Sequence, residues 1–298
     1  MRHIDKTKTT QPDFLLRFRK QTKDTISYKE MRKLKDASSK KYCKFEGTKE
    51  NPDIGIFEMQ LLQYQGFLCA YCNNKIPEFK KVNSKKYCKA KVEHWHPESS
   101  TLSDKDKLDT DYKNMLICCK GGEINNEEVY YCDTAKKELF MTLDPREKSH
   151  IDKLKYTENG QIYCIDFEDK KTLKTQYDEI KNKKATPIIY RNGKIGYFLE
   201  AKNLTDDELN IAIQYDLEFT LNLNTDKLKY QREAKWKNIN DEVSQKFKQP
   251  HLFSLGKRQF LNSKISFLDT IDDDGEYEPM CMVKILYLRK RLKRLRKE

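Results

Sequence analysis

Apolar positions along the chain come in short blocks that change period. Residues 14–40 carry a weak helical stripe made by Phe14, Leu15 and Phe18. A stronger stripe follows Asn51-Pro52-Asp53, a helix-start signal. Ile54, Phe57, Leu61, Leu62 and Tyr64 share one face over 54–65, and Gly66 stops the helix. Residues 67–76 (FLCAYCNNKI) break the periodicity and read as a knuckle, with Asn73-Asn74 supplying the turn. A strand is predicted within 87–97, ending at Pro97, and a polar loop over 98–111 leads to a second extended segment, Tyr112–Ile117. Gly121-Gly122 and Asn125-Asn126 mark turns, and Val129-Tyr130-Tyr131 forms a short strand before Cys132. Residues 133–141 suit a helix, with Asp133 in its first turn and Lys136-Lys137 further on.

After Pro145 the character changes. Tyr156 to Phe167 is predicted as a hairpin about Asn159-Gly160. From Thr205 the pattern is mainly helical, with Asp206-Asp207-Glu208 placed where a helix N-terminus favours acids, before Leu209, Ile211, Ile213 and Leu217. Leu221-Asn222-Leu223-Asn224 interrupts it, and a second helix runs over about 225–247. The last helix, about 280–297, is apolar at Met282, Ile285, Leu286, Leu288, Leu292 and Leu295 and carries eight basic residues from 284 to 297. The expected organisation is α+β in three parts: an N-terminal helical segment (1–66), a central core (67–145), and a mostly helical C-terminal region with a hairpin and a basic terminal helix (146–298).

Composition makes the core economical, because 37% of the 298 residues are apolar and 36% charged. Seventeen Tyr, 14 Phe and 2 Trp supply much of what can be buried. The net charge of +12 favours polyanionic partners, nucleic acid before membrane surface, although a lysine-rich solubility surface gives the same number. Residues 1–13 hold no apolar signal core, and no stretch approaches the roughly 18 apolar residues of a membrane span. A cytoplasmic protein without a membrane partner is therefore expected. In that reducing compartment the nine cysteines read as metal ligands or core thiols rather than disulfides.

Cys69-x2-Cys72 is half of a zinc knuckle, since so short a loop lets two thiolates converge on one tetrahedral ion. Cys118, Cys119 and Cys132 compete to complete it. Cys119 and Cys132, each at a turn or strand end, make the better pair, and Cys118 then faces the core. Cys43, Cys88, Cys164 and Cys281 read as buried or half-buried thiols, with Cys88 a fallback ligand. Two of the five histidines fall in Val92-Glu93-His94-Trp95-His96-Pro97. Strand alternation sends Glu93 and His94 to opposite sides unless a bend re-aims one, and puts His94 and His96 on the same side. A carboxylate beside an imidazole suits metal-assisted hydrolysis, the one holding a hard cation and the other taking a proton from water. An acidic–His dipeptide by itself is also common on surfaces and in cores.

Taken together, four stretches resemble the HNH endonuclease family, whose core is the ββα-metal fold. They are Cys69-Ala-Tyr-Cys72, Glu93-His94-Trp95-His96-Pro97, Tyr112-Lys113-Asn114-Met115-Leu116-Ile117-Cys118-Cys119 and Cys132-Asp133-Thr134-Ala135-Lys136. The family spacing places a zinc ligand five residues after the Asn, which selects Cys119 over Cys118. Two departures stand out: Asp133 occupies the position of the last His or Asn, and a dozen residues separate Cys119 from Cys132. Both look like the PtuB-like subgroup met in Septu and retron anti-phage defence. The match is specific over 60–145 and looser over 146–298, where it covers the hairpin, the LNLN segment and the closing basic helix.

The resemblance implies a zinc-stapled ββα-metal core flanked by mostly helical segments, hydrolysing phosphodiester bonds in nucleic acid, DNA before RNA. It implies structural Zn2+ on Cys69, Cys72, Cys119 and Cys132, and catalytic Mg2+ or Mn2+ on Glu93 and Asp133, a hard-ion donor set. His94 becomes the general base and Asn114 orients His94 or its strand, while His96 and Lys136 stand on the substrate side. Lys136 also reads as a solvated helix residue. The implied partners are an ATPase of the PtuA type and, in retron systems, a reverse transcriptase with its msDNA. The chain carries no G-x4-G-K-[ST] loop, so ATP sensing falls to a partner. Two other readings remain open at this point: a stand-alone restriction-like HNH nuclease, and a non-catalytic zinc module that binds nucleic acid or a partner protein.

Overall fold

The computed structural model describes residues 1–11, 13–22, 27–30, 56–76, 80–82, 85–87, 90–102, 107–122, 129–250 and 253–295. Asn51-Pro52-Asp53, Ile54, the Asn125-Asn126 turn, Cys43 and Cys88 lie outside the described residues, as do the side chains of Phe14, Phe18 and Phe57. In chain order come helices α1 (Asp13–Thr22) and α2 (Ile56–Tyr64), then strands β1 (Lys80–Val82), β2 (Lys85–Tyr87), β3 (Ala90–His94) and β4 (Met115–Cys119). Short helices α3 (Asp133–Lys136) and α4 (Lys148–Asp152) precede the hairpin of β5 (Lys155–Tyr156) and β6 (Ile162–Tyr163). Helix α5 (Lys170–Lys184), strands β7 (Thr186–Ile189) and β8 (Ile195–Phe198), and helix α6 (Asp206–Tyr215) follow. The chain closes with α7 (Asp226–Phe247), α8 (Ser254–Leu268) and α9 (Cys281–Leu295). Among the described residues every sheet is a two-stranded antiparallel ladder, so the class is α+β.

The central pair, β3 and β4, aligns Ala90 with Cys119, Glu93 with Leu116 and His94 with Met115. Strand β3 stops at His94, short of the expected Pro97, although Trp95 N still reaches Asn114 O at 3.0 Å. Helix α3 is four residues rather than nine, because Lys137 turns to a φ of +53°. The strand expected at 129–131 does not form. Tyr131 N instead bonds Gly121 O at 3.1 Å, and Cys132 N bonds Leu221 O at 2.8 Å.

The three parts expected from the sequence share one buried apolar cluster, which runs through Leu15 and Leu61, Leu116 and Ile117, then Leu217, Val283 and Leu288. A small satellite (Ile180, Leu199, Ala212) sits between α5 and α6. The LNLN segment ties the C-terminal half to the middle. Asn222 Nδ2 donates to Tyr130 O (2.8 Å), and Asn224 brackets Ile162 by accepting from its N and donating to its O, both at 2.9 Å. Buried Arg232 donates to Gly160 O at 2.6 Å and also to Leu223 O. The hairpin turn needs Gly160, which lies at φ +78°, because a Cβ there would sit 2.0 Å from Lys229 O.

The basic terminal helix packs on α7 and α8 through Val283, Ile285, Leu288 and Leu295, leaving Arg289, Lys290, Lys293 and Arg294 exposed. Its remaining apolar positions, Met282, Leu286 and Leu292, are half-buried against the same core. Among the described residues no helix is long and apolar enough to cross a membrane.

Candidate metal centre and acidic site

Two polar clusters flank the β3–β4 ladder. The first is built by the knuckle, which folds back through a Leu68–Lys75 bridge and Cys69 N to Asn74 O (2.9 Å), with Asn73 at a φ of +57°. Buried Gln65 fastens it to β4: its Nε2 donates to Ile117 O (2.9 Å) and its Oε1 accepts from Ile117 N (2.8 Å). Cys119 ends β4, and Cys132 precedes α3 at φ +56°. The sulfurs of Cys69, Cys72, Cys119 and Cys132 all lie within 4.8 Å of one another. Cys69–Cys132 and Cys72–Cys119 are each 3.8 Å apart. A tetrahedron with zinc–sulfur bonds of about 2.3 Å has edges of roughly 3.8 Å, far longer than an S–S bond of about 2.05 Å. The donor set and spacing thus fit a structural metal ion such as zinc. Cys119, not Cys118, is in the set, and Cys118 is wholly buried beside it.

The four thiols differ in their surroundings. Burial pushes the Cys69 thiol up, but hydrogen bonds from Cys118, Cys119, Cys132 and Cys72 outweigh it and hold Cys69 well below the usual thiol range. Burial and the same network push Cys132 well above it. A metal ion would let all four ionise. Gly121 keeps the second half of the loop tight: at φ +46°, a Cβ there would lie 1.9 Å from Tyr131 O.

The second cluster is acidic. Glu93, 4% exposed, accepts from Tyr71 OH at 2.9 Å and pairs with Lys136 Nζ at 2.6 Å. Asp133, in the first turn of α3, acts electrostatically on Glu93 and faces Lys91 Nζ at 3.5 Å. Burial pushes Glu93 up to about 8; the Lys136 ammonium opposes that rise and the Asp133 carboxylate adds to it. Lys136 is completely buried and also donates to His94 O at 3.1 Å. It is therefore neither solvated nor open to a phosphate, contrary to expectation: α3 aims its stem inward, and the buried carboxylate needs its charge.

Strand alternation holds for Glu93 and His94, which keep different neighbours. The His94 ring packs edge-on against Tyr28 with centroids 4.6 Å apart, its Nε2 lies 2.8 Å from Asp109 O, and its Nδ1 lies 3.9 Å from Glu98. A carbonyl can only accept, so Nε2 carries the hydrogen and Nδ1 the lone pair of the neutral ring. His96 does not share these surroundings, because the strand ends at His94. Its ring sits among Trp95, Phe198 and Phe140, with centroids 4.3, 5.0 and 6.0 Å away. Burial, then the nearby Arg146 guanidinium, lowers its pKa to about 4. Asn114 clamps the His96 backbone from both sides, accepting from its N (2.8 Å) and donating to its O (2.9 Å), and also donates to Leu108 O at 2.9 Å.

The structure thus gathers Glu93 and Asp133, gathers the four cysteines, and sets His96 in an aromatic cluster. Tyr71 and Lys91 join the acidic site without any sequence signal, Tyr71 as a spacer inside the knuckle, while Asp109 meets His94 through its carbonyl and accepts from Tyr28 N. No protein-family model and no curated protein matches the chain, which leaves the geometry of these two sites as the basis for a functional reading.

Proposed function

We propose that the chain is a metal-dependent HNH-type endonuclease that hydrolyses phosphodiester bonds in nucleic acid, DNA before RNA. The observation that carries this reading is the meeting of Glu93, from the second-last position of β3, with Asp133, from the first turn of α3; His94 is the next residue of β3, its ring set among Tyr28, Asp109 and Glu98. Strand, strand and short helix stapled by four cysteines is the arrangement that the HNH resemblance requires. Glu93 and Asp133 would hold one Mg2+ or Mn2+, which when bound would screen the scissile phosphate and steady the leaving oxygen. His94 Nδ1 takes a proton from water as the water oxygen bonds to phosphorus. The P–O bond to the leaving oxygen breaks, that oxygen takes a proton from solvent, and His94 returns its own proton to solvent. Asn114 acts as a positioning residue by pinning the backbone just past His94. In the same reading an ATPase partner controls cutting in the cytoplasm, as in Septu-type and retron defence.

A second reading draws on Lys136. Its ammonium already neutralises Glu93, as a purely structural pair would in a non-catalytic zinc module. Cleavage of DNA and tRNA by the purified chain and its native complex, with and without Mg2+ or Mn2+, separates the two. The nuclease reading expects divalent-dependent cleavage that Glu93→Gln and Asp133→Asn each reduce by two orders of magnitude or more. Cleavage indifferent to both substitutions would refute it.

A further inference from the structure

A cleft of about 330 Å³ opens beside Asp133, walled by Lys91, Tyr130, Thr134 and Lys137. Its volume is at the lower end of small-ligand sites, roughly 300–1,000 Å³, and matches a unit the size of a nucleotide rather than a long ligand. Its wall carries Lys91, already 3.5 Å from the Asp133 carboxylate, and the exposed Lys137, which brings a positive charge to the mouth. Tyr130 is 44% exposed, although its backbone is held: Asn222 Nδ2 binds its carbonyl at 2.8 Å, and the next two amide N–H groups bind Gly121 O and Leu221 O. An exposed aromatic on so constrained a backbone is a platform rather than a loose surface group. The LNLN segment, the Gly121 turn and the cysteine centre all fix it in place. Thr134 donates its hydroxyl to Lys120 O at 3.1 Å, and Lys91 Nζ reaches that hydroxyl at 3.4 Å and Asp133 at 3.5 Å, so Lys91 stands where the cleft meets the acidic site.

From this juxtaposition we infer that the cleft is a subsite for one unpaired nucleotide next to the scissile phosphate, its base stacked on Tyr130 and its phosphates drawn by Lys91 and Lys137. The inference rests on the nuclease reading for its position in the reaction, but not for binding itself. Stacking needs an open π-face, so the subsite selects a single strand or an extruded nucleotide over an intact duplex. Tyr130 serves any base, which makes the subsite a reader of strand state rather than of sequence.

The test uses the full chain in a His94→Ala background, so that substrate stays intact, with fluorescein-labelled DNA and RNA oligonucleotides of one sequence followed by anisotropy at several salt concentrations. Adding Tyr130→Ala is expected to weaken single-strand binding about tenfold, the usual scale for loss of one stacked base. Tyr130→Phe should stay within about twofold, because the ring is kept. Lys137→Ala should flatten the salt dependence by about one phosphate contact. A fully paired duplex should show little dependence on Tyr130. The DNA and RNA arms tell which strand the subsite prefers. Equal binding by Tyr130→Ala and its parent, or no oligonucleotide binding by the parent, would overturn the subsite. If the wild-type chain fails to cleave while Tyr130 still governs binding, the nuclease reading fails and the subsite stands.

Discussion

The cysteine centre and the acidic site both draw on the β3–β4 ladder and the start of α3, yet they solve the problem of buried polar groups in different ways. The cysteines form a closed set. Four sulfurs stand at the spacing of the corners of a zinc tetrahedron, and the knuckle, β4 and the Leu221 carbonyl hold them there. Glu93 and Asp133 form an open pair that leans on a lysine. Two carboxylates cannot enclose a cation, so in the proposed nuclease water or substrate would fill the remaining positions. A closed set supplies stability, and an open one leaves room for chemistry. The contrast also fits the burial of Lys136, because a buried carboxylate needs a positive charge beside it.

The largest expected effect breaks the closed set. Cys69→Ser should abolish stoichiometric zinc and leave a chain that does not fold, because structural zinc contributes about 10 kcal/mol or more, comparable to a whole domain's stability. Cys118→Ala should keep zinc and cost only about 1 kcal/mol. Metal analysis beside thermal melting reads both, and zinc loss from Cys118→Ala but not from Cys119→Ala would reverse the ligand assignment.

Next comes the open pair. Lys136→Met strands a buried carboxylate and should cost about 3–5 kcal/mol in Mg2+-free buffer. Added Mg2+ or Mn2+ should raise the Tm of this variant more than that of its parent. Indifference to both ions would show that Glu93 and Asp133 do not share a cation site.

A smaller loss tests how rigidly the loop joins the two sites. Gly121→Ala places a Cβ against the Tyr131 carbonyl and should cost about 2 kcal/mol, with zinc leaving faster to a chelator. An unchanged chelation rate would mean that the loop relaxes freely.

The last effect is a slope rather than a loss, and it comes from a buried acid at neither site. Asp216 accepts from Thr142 N (2.7 Å) and Leu143 N (2.8 Å), and burial pushes it up from 3.8 to about 7. The folded protein therefore holds this proton more tightly than the unfolded chain. Its contribution is present below the unfolded value and is lost as pH rises through about 7. Melting from pH 4 to 7 should fall less steeply for Asp216→Asn than for its parent, and parallel curves would contradict the burial effect.

Local signals were legible where one residue type imposes its own geometry. Cys69-x2-Cys72, Asn159-Gly160 with Thr157 N bonding Gln161 O at 3.0 Å, and the apolar stripe of α9 could all be read directly. The helix at 170–184 could not. Only Leu173 and Ile180 are buried among its lysines, so its apolar stripe is too thin to stand out. The hairpin of β7 and β8 was hidden for a related reason: Ile189, Ile195 and Tyr197 face outward, about half exposed, and mask the alternation. At the acidic site the charged residues were visible, but their balance was not. The partner of Glu93 lies 43 residues away and looks like a surface lysine in the sequence. Long-range pairing of that kind depends on where α3 lands, which no local pattern encodes.

The proposal that the acidic pair and the neighbouring His94 perform hydrolysis is tested most directly by His94→Ala. The measurement is cleavage of labelled nucleic acid under conditions where the wild-type chain, alone or with its native partner, is active, alongside zinc content and melting temperature. The account expects cleavage to disappear while one zinc per chain and the melting transition are retained. Full cleavage by His94→Ala would contradict it.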